Sequence, residues 1–199
     1  MALTKVQIIS NSLLQLGHSA ISSLSGGDRM VQAAEAAYDM KLPSVLSSGN
    51  WRFATQIQQL SELTESPPPP WKTAYALPAG YLKTIRLRPN IYQWDIYTDY
   101  KIYTYISGKL YMEYIFQPDV SQFPAYFVDY FTYEISAYLA LSNAQKADYY
   151  TALEQKRMHM MAYANALDTQ NRPQFSQTNI PVLNNRYVTQ FIGNGGIAN

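Results

Sequence analysis

"SSGNWRFATQ", residues 47–56, is where the periodicity of the chain changes. Upstream of it, Val31, Ala34, Tyr38, Leu42 and Val45 recur at the 3.6-residue spacing of a helix that buries one face. Downstream, "TQIQQLSELTES" carries no helical stripe and reads as a short strand or an irregular segment. Gly49-Asn50 ends the helical run, and Trp51 and Phe53 follow at once with Arg52 between them. Trp and Arg are common in binding hot spots. Two large rings leaving a helix also serve to pin its exit against a core. The packing reading makes Trp51 and Phe53 structural anchors at the border between a helical and a β-rich part.

Toward the N-terminus, Val6, Ile9, Leu13 and Leu16 define a first helix over residues 4–16. Thr4 with Gln7 forms a capping box, and Gly17 is a stop. Asp28 is the N-cap of the second helix. Pro43 removes the bond to the Asp39 carbonyl, which predicts a kink or a break there.

Toward the C-terminus, four prolines (67–70) require a stiff extended loop and exclude a helix or central strand. An SH3-ligand reading of this run lacks the expected basic flanks. "WKTAYALP", "YLKTIRLRP" and "QWDIYT" read as strands. In the second, Tyr81, Lys83, Ile85 and Leu87 alternate with Leu82, Thr84, Arg86 and Arg88, so Tyr81 and Leu82 anchor its opposite faces. "KIYTYI-SG-KLYMEYIF" reads as a hairpin on a Ser-Gly loop, with Tyr103 facing Met112, Tyr105 facing Leu110, and Lys101 facing Tyr114. Helices then return. Pro124 suits a first helical position, with Phe127, Phe131, Ile135, Tyr138 and Leu139 as a stripe. Ser142 or Asn143 caps a last helix over about 145–167, with Leu153, Met160, Ala164 and Leu167 inward and Arg157 on the same stripe.

The fold class is therefore α+β, as a four-helix-type bundle with an inserted small antiparallel β-domain and an extended C-terminal arm. Residues 1–55 and 120–168 form the bundle, 56–119 the β-rich insert, and 169–199 the arm. The arm is rich in Asn and Gln yet studded with single apolar residues: Phe175, Ile180, Val182, Leu183, Tyr187, Val188, Phe191 and Ile192. A disordered tail and an arm that orders against a neighbouring subunit or partner are both open to such a sequence.

The chain has 199 residues, 15 Lys and Arg against 14 Asp and Glu, 47% apolar residues and 18 tyrosines. Near-neutral charge argues against a dedicated nucleic-acid clamp, and the apolar content against disorder. Few charges and many aromatics suit a surface that meets other proteins. With no cysteine, disulfides and thiolate metal sites are excluded. The N-terminal stretch lacks the pattern of a signal peptide, and no run is apolar enough to span a bilayer, so a soluble protein made in the cytoplasm is expected.

Catalytic patterns are missing. His18 and His159 have no second ligand at metal spacing, no serine sits in a Gly-x-Ser-x-Gly elbow, and no phosphate-cradling glycine loop precedes a helix. The expectation is no enzyme, no cofactor and no metal. Trp94 and Asp95, with nearby tyrosines and Asp99, are what a sugar-binding strand or a glycoside hydrolase carries, and this is the alternative reading. Lys83, Arg86 and Arg88 are either a solvated strand face or a contact for a phosphate backbone.

Taken in order, Tyr38-Asp39, Trp51-Phe53-Ala54, Tyr75-Leu77-Pro78 and Tyr81-Leu82 with Arg86 resemble the tail tubular protein A family, the head-to-tail adaptors of short-tailed bacteriophages. "LYMEYIFQPDVSQFPAYFVDYFTYEISAYLALSNAQ" is similar to that family's strand, Asp-centred turn and Ala/Leu-rich helix. The resemblance covers roughly residues 3–172. Pro43 and the four-proline run depart from the family's pattern, and residues beyond 172 have no counterpart in it. The resemblance implies a structural virion protein of the tail or neck, a homo-oligomer forming a dodecameric ring beneath the portal protein. It further implies a lower face for the tail nozzle protein, sometimes for a fibre or spike, and a lumen through which double-stranded DNA passes without specific binding.

Overall fold

The computed structural model describes residues 3–25, 27–91, 93–97, 99–142 and 147–171. Helix α1 (Lys5–Gln15) opens on the expected capping box. The Gln7 amide donates to Thr4 Oγ1 at 3.3 Å, and the Thr4 amide donates to Gln7 Oε1 at 2.9 Å. It closes at Gly17, whose φ of 75° lets His18 N–H reach the Leu13 carbonyl and Gly17 N–H that of Leu14.

Asp28 caps α2 (Arg29–Ser48), its carboxylate accepting from the Met30 amide at 2.8 Å. The expected break at Pro43 does not occur, because α2 runs unbroken through it. An interior proline costs on the order of 3 kcal/mol. Burial of Leu42, Val45 and Leu46 on both sides of it offsets that cost.

At the end of α2 the chain turns sharply. Trp51 is almost wholly buried, and its indole N–H donates to the Val45 carbonyl at 3.0 Å. Its ring packs edge-on against Phe127 (5.2 Å) and beside Tyr130 and Phe53 (6.0 Å each). A Cβ on Gly49 would lie 2.6 Å from the indole nitrogen, so glycine is required there by close approach. A 3-10 turn, Arg52–Ala54, then delivers the chain into the first strand.

Six strands follow: β1 (Thr55–Gln59), β2 (Thr73–Ala76), β3 (Tyr81–Arg88), β4 (Trp94–Ile96), β5 (Lys101–Thr104) and β6 (Tyr111–Phe116). They form two antiparallel three-stranded sheets, β1-β6-β3 and β2-β5-β4. The expected 101–116 hairpin is thus corrected: β5 and β6 lie in different sheets, and Lys101, Tyr103 and Tyr105 do not face Tyr114, Met112 and Leu110 across a ladder. Sequence patterning explains why. Strand β6 buries Met112 and Tyr114 on one face and Ile115 on the other, as a central strand with both faces covered must. Residues 106–110 cross between the sheets instead. Gly108 N–H donates to Glu62, the Ile106 and Gly108 carbonyls accept from Tyr75 Oη, and the Leu110 carbonyl accepts from Leu60 N–H.

Simple alternation also fails in β3. Its pairing with β6 shifts between Tyr81 and Lys83 and again between Thr84 and Arg86. Each bulge adds a residue to one face. Tyr81 and Leu87 therefore serve the core between the two sheets, while Leu82 and Ile85 pack against the helices. Tyr81 and Leu82 remain on opposite faces as expected, but Ile85 and Leu87 do not share one.

Helix α3 (Ala125–Ser142) starts one residue after Pro124, whose carbonyl accepts from the Phe127 and Val128 amides. It packs against α1, α2 and α4 (Ala147–Gln170). Phe127, Phe131, Ile135 and Leu139 are buried in the helical core, whereas Tyr138 is at the surface beneath the Lys41 ammonium, 4.8 Å from its ring. In α1, Ile8 is buried and Val6 only half so. Leu153 and Ala164 of α4 point inward, with Met160 and Leu167 half-buried. Ser142 is the last residue of α3 and not a cap, and Asn143 lies outside the described residues. Ile115, Leu82 and Ile85 join the helical core from the sheet, so the β1-β6-β3 sheet is the layer shared by both cores.

Truncating Trp51 to Ala is expected to lower unfolding free energy by about 3–5 kcal/mol, as for other buried rings. Gly49→Ala is expected to cost about 1–3 kcal/mol by overpacking. Urea denaturation measures both, and near-neutral effects would contradict the anchoring role. Tyr38 supplies a second check. Burial, with Asp39 and Asp119 adding to it, pushes its hydroxyl up to about 12, and burial with Glu134 does the same for Tyr130. Below pH 10 folded and unfolded chains both keep these protons and the stability is fully present; between pH 10 and 12 the unfolded chain ionises first, so stability falls. The Tyr38 hydroxyl is buried without a hydrogen-bond partner among the described residues. Tyr38→Phe is therefore expected to gain about 1 kcal/mol at neutral pH and to make the alkaline fall shallower.

Candidate functional site

Arg52 stands at the meeting point of three elements. Its backbone N–H donates to Asp168 Oδ2 at 2.8 Å, and Tyr126 Oη donates to Asp168 Oδ1 at 2.8 Å. Asp168 is buried in the last turn of α4. The two bonds tie the end of that helix to the corner after Trp51. Burial, together with the bond to Asp168, raises the Tyr126 hydroxyl well above its ordinary range.

The Arg52 guanidinium faces Glu113 of β6, a buried carboxylate, at 3.9 Å. Arg86 Nε and Arg88 Nη2 reach the same carboxylate at 2.7 and 3.4 Å. Lys83 Nζ donates to Asn50 at 3.3 Å. The solvated-face and phosphate-contact readings of Lys83, Arg86 and Arg88 thus gain a common geometry: a basic edge strand organised around one internal acid. A third ionic group joins α2, α3 and α4. Glu134 accepts from Lys41 (3.1 Å) and Arg157 (3.2 Å), and Arg157 grips Glu154 with two bonds of 2.5 and 2.8 Å. This pairing raises the Arg157 guanidinium and lowers Glu154. Arg157 on the apolar stripe is accordingly an internal ion-pair partner.

An aromatic group lies at the surface of the outer sheet, its Tyr97 and Tyr105 rings exposed. On the β2-β5-β4 sheet, Trp71 Nε1 donates to Tyr97 Oη at 3.0 Å, its ring sits 5.0 Å from Tyr105, and Tyr97 lies 5.3 Å from Tyr103. Tyr103 Oη donates to Asp99 at 2.6 Å, which lowers the Asp99 carboxyl, while Lys101 bridges Glu65 and Asp99. Tyr100, three-quarters exposed, holds a left-handed φ of 56°. Exposed apolar side chains also occur on the helices, Tyr138 and Leu141 on α3 and Met158 and Tyr163 on α4.

Trp94 is partly exposed on β4, an edge strand, and Asp95 is occupied by the neighbouring Ile96 amide at 2.8 Å. Trp51 and Phe53 lie in or against the helical core, Leu82 against it, and Tyr81 against the second core. Phe175, Ile180, Val182, Leu183, Tyr187, Val188, Phe191 and Ile192 lie outside the described residues. Among the described residues no three His, Asp or Glu side chains converge as a metal ion needs, and no helix is long and apolar enough to cross a membrane. Sequence reasoning assigned no role to Asp168, Glu113 or Glu134. A single acid within "YMEYIF" was the available signal for Glu113, since a lone carboxylate in a buried strand must be paired.

A scan against protein-family models gives no matching family. A search of curated proteins gives no match.

Asp168→Ala removes two bonds to a buried charge and is expected to cost on the order of 3 kcal/mol. Urea denaturation of the variant checks this; a change within about 0.5 kcal/mol, the range of an ordinary surface substitution, would contradict the latch.

Proposed function

We propose that this chain is a structural subunit, a head-to-tail adaptor of a short-tailed bacteriophage. In this reading it assembles into a ring beneath a portal protein, extends the DNA channel, and docks the tail nozzle and fibres. The finer architecture belongs to the same proposal: a four-helix-type bundle, residues 56–119 as an inserted β-domain, and residues 169–199 as an arm contacting the portal or a neighbouring subunit. The supporting observation is that exposed apolar side chains occur on two separate parts of the fold, Tyr97, Tyr100 and Tyr105 beside the β2-β5-β4 sheet and Tyr138, Leu141, Met158 and Tyr163 on α3 and α4. A head-to-tail ring needs two different complementary patches on each subunit. Near-neutral total charge also suits a channel through which DNA slides without being gripped. The motif resemblance over residues 3–172 supplies the particular assembly.

Electron microscopy of the protein mixed with a portal is expected to give a ring of matched symmetry. Leu141→Asp with Met158→Asp changes exposed positions. It is expected to leave melting nearly unchanged and to abolish the ring. A variant that still forms rings contradicts the role of the helical surface. Deleting residues 173–199 is expected to weaken portal association with the monomer still folded, and unchanged association contradicts the arm contact.

The organised Trp71, Tyr97 and Tyr105 rings favour one second reading, a carbohydrate-binding surface, since sugars stack on fixed aromatics. A persistent monomer that binds a glycan array, and loses binding in Trp71→Ala, would replace the adaptor reading with that one.

A further inference from the structure

The basic edge of the β1-β6-β3 sheet has a charge that the rest of the chain does not share. Lys83, Arg86 and Arg88 lie along β3, an edge strand, and Arg52 joins them from the 3-10 turn. Among the described residues one carboxylate, Glu113, pairs with these side chains, and a second, Asp168, is bound to the Arg52 backbone. With both acids counted the group carries four minus two, +2, within a chain of net +1, leaving −1 for everything else.

Three features fit this edge to a ligand. Glu113 is itself buried, while the Arg86 and Arg88 side chains are about half exposed, at 52% and 54%. The acid thus holds the guanidiniums in place from below without covering them. Arg86 binds Glu113 through Nε, and among the described residues no hydrogen bond engages its Nη groups. Tyr111, exposed and paired with Arg88 across the ladder, adds a hydroxyl of the kind that contacts phosphate.

We infer that this edge is a binding site for the phosphodiester backbone of a nucleic acid. Residues 83 to 88 extend over roughly 16 Å at about 3.3 Å per residue. A duplex presents one phosphate per ~3.4 Å along each strand, so several fall within reach. A linear array of cations along an extended edge suits such a backbone. An acidic peptide would instead call for a central apolar anchor in a desolvated pocket. The contacts are to phosphate alone, so the site positions nucleic acid without reading its sequence. Glu113 limits the net charge and so keeps the binding weak, while the salt dependence comes from the phosphates the cations neutralise. The inference rests on this charge geometry and is independent of ring assembly, because an isolated subunit and a short duplex suffice to test it.

The experiment is fluorescence anisotropy of a labelled duplex of about 20 base pairs, titrated with the full chain between about 20 and 200 mM salt. The wild type is expected to bind with a log–log salt slope of about −3, the value for three to four neutralised phosphates. Lys83→Gln with Arg88→Gln is expected to weaken binding about tenfold at low salt and to flatten the slope by about 2. Should that variant melt more than about 5 °C lower, Lys83→Gln alone is expected to flatten the slope by about 1. Absence of binding at the lowest salt, or an unchanged slope in the folded variants, overturns the site. Poly-glutamate binding as tightly as the duplex also overturns it, in favour of an acidic protein partner.

Discussion

The indole of Trp51 fixes the geometry on which the rest of the fold depends. Its hydrogen bond back to Val45 holds the ring under the last turn of α2, and Gly49 supplies the gap that lets it in. The ring then meets Phe127 and Tyr130 of α3. One side chain thereby decides how α2 ends, where α3 lies against it, and in which direction the chain enters β1. Arg52, the next residue, spreads that constraint outward through its backbone to α4 and through its guanidinium to β6.

The β1-β6-β3 sheet inherits the consequences. It is covered by helices on one side and by the second sheet on the other, so β6 has no solvent face along its middle. A strand in that position reads as continuous apolar sequence, with Glu113 as the exception. The exception is tolerated because arginines from β3 and from the corner converge on it. Without them Glu113 would be a buried charge with no partner, which is far costlier than the half-exposed arginines are worth as ion pairs. The two bulges in β3 are part of the same solution, since they bring Leu82 and Ile85 to the helices while Arg86 and Arg88 still reach the acid.

Much of this was legible in the chain and some was not. The α1 capping box, the Asp28 cap, the Gly17 stop and the role of Trp51 each follow from local chemistry within a few residues, and the structure bears them out. The α+β class follows from the change of period at residues 47–56. What failed was non-local. The Ser-Gly turn predicted a hairpin, but strand partners are chosen by which faces are covered, and that depends on helices distant in sequence. Bulges break alternation without any composition signal in "YLKTIRLR". Pro43 is tolerated because the buried residues around it hold α2 together. The Trp71, Tyr97 and Tyr105 group also escaped sequence reasoning, because residues from three separate segments build it.

The exposed features sit on this frame: an aromatic group at the outer sheet, single apolar side chains on α3 and α4, and a basic edge beside the Trp51 corner. All are presented by elements that the corner holds in register. Native-state hydrogen exchange, comparing wild type with Trp51→Ala, tests that dependence most directly. If the corner couples the helices to the β1-β6-β3 sheet, amides of α3 and of β6 lose protection together and by similar free energies. Loss confined to the helices, with β6 as protected as in the wild type, would contradict the account.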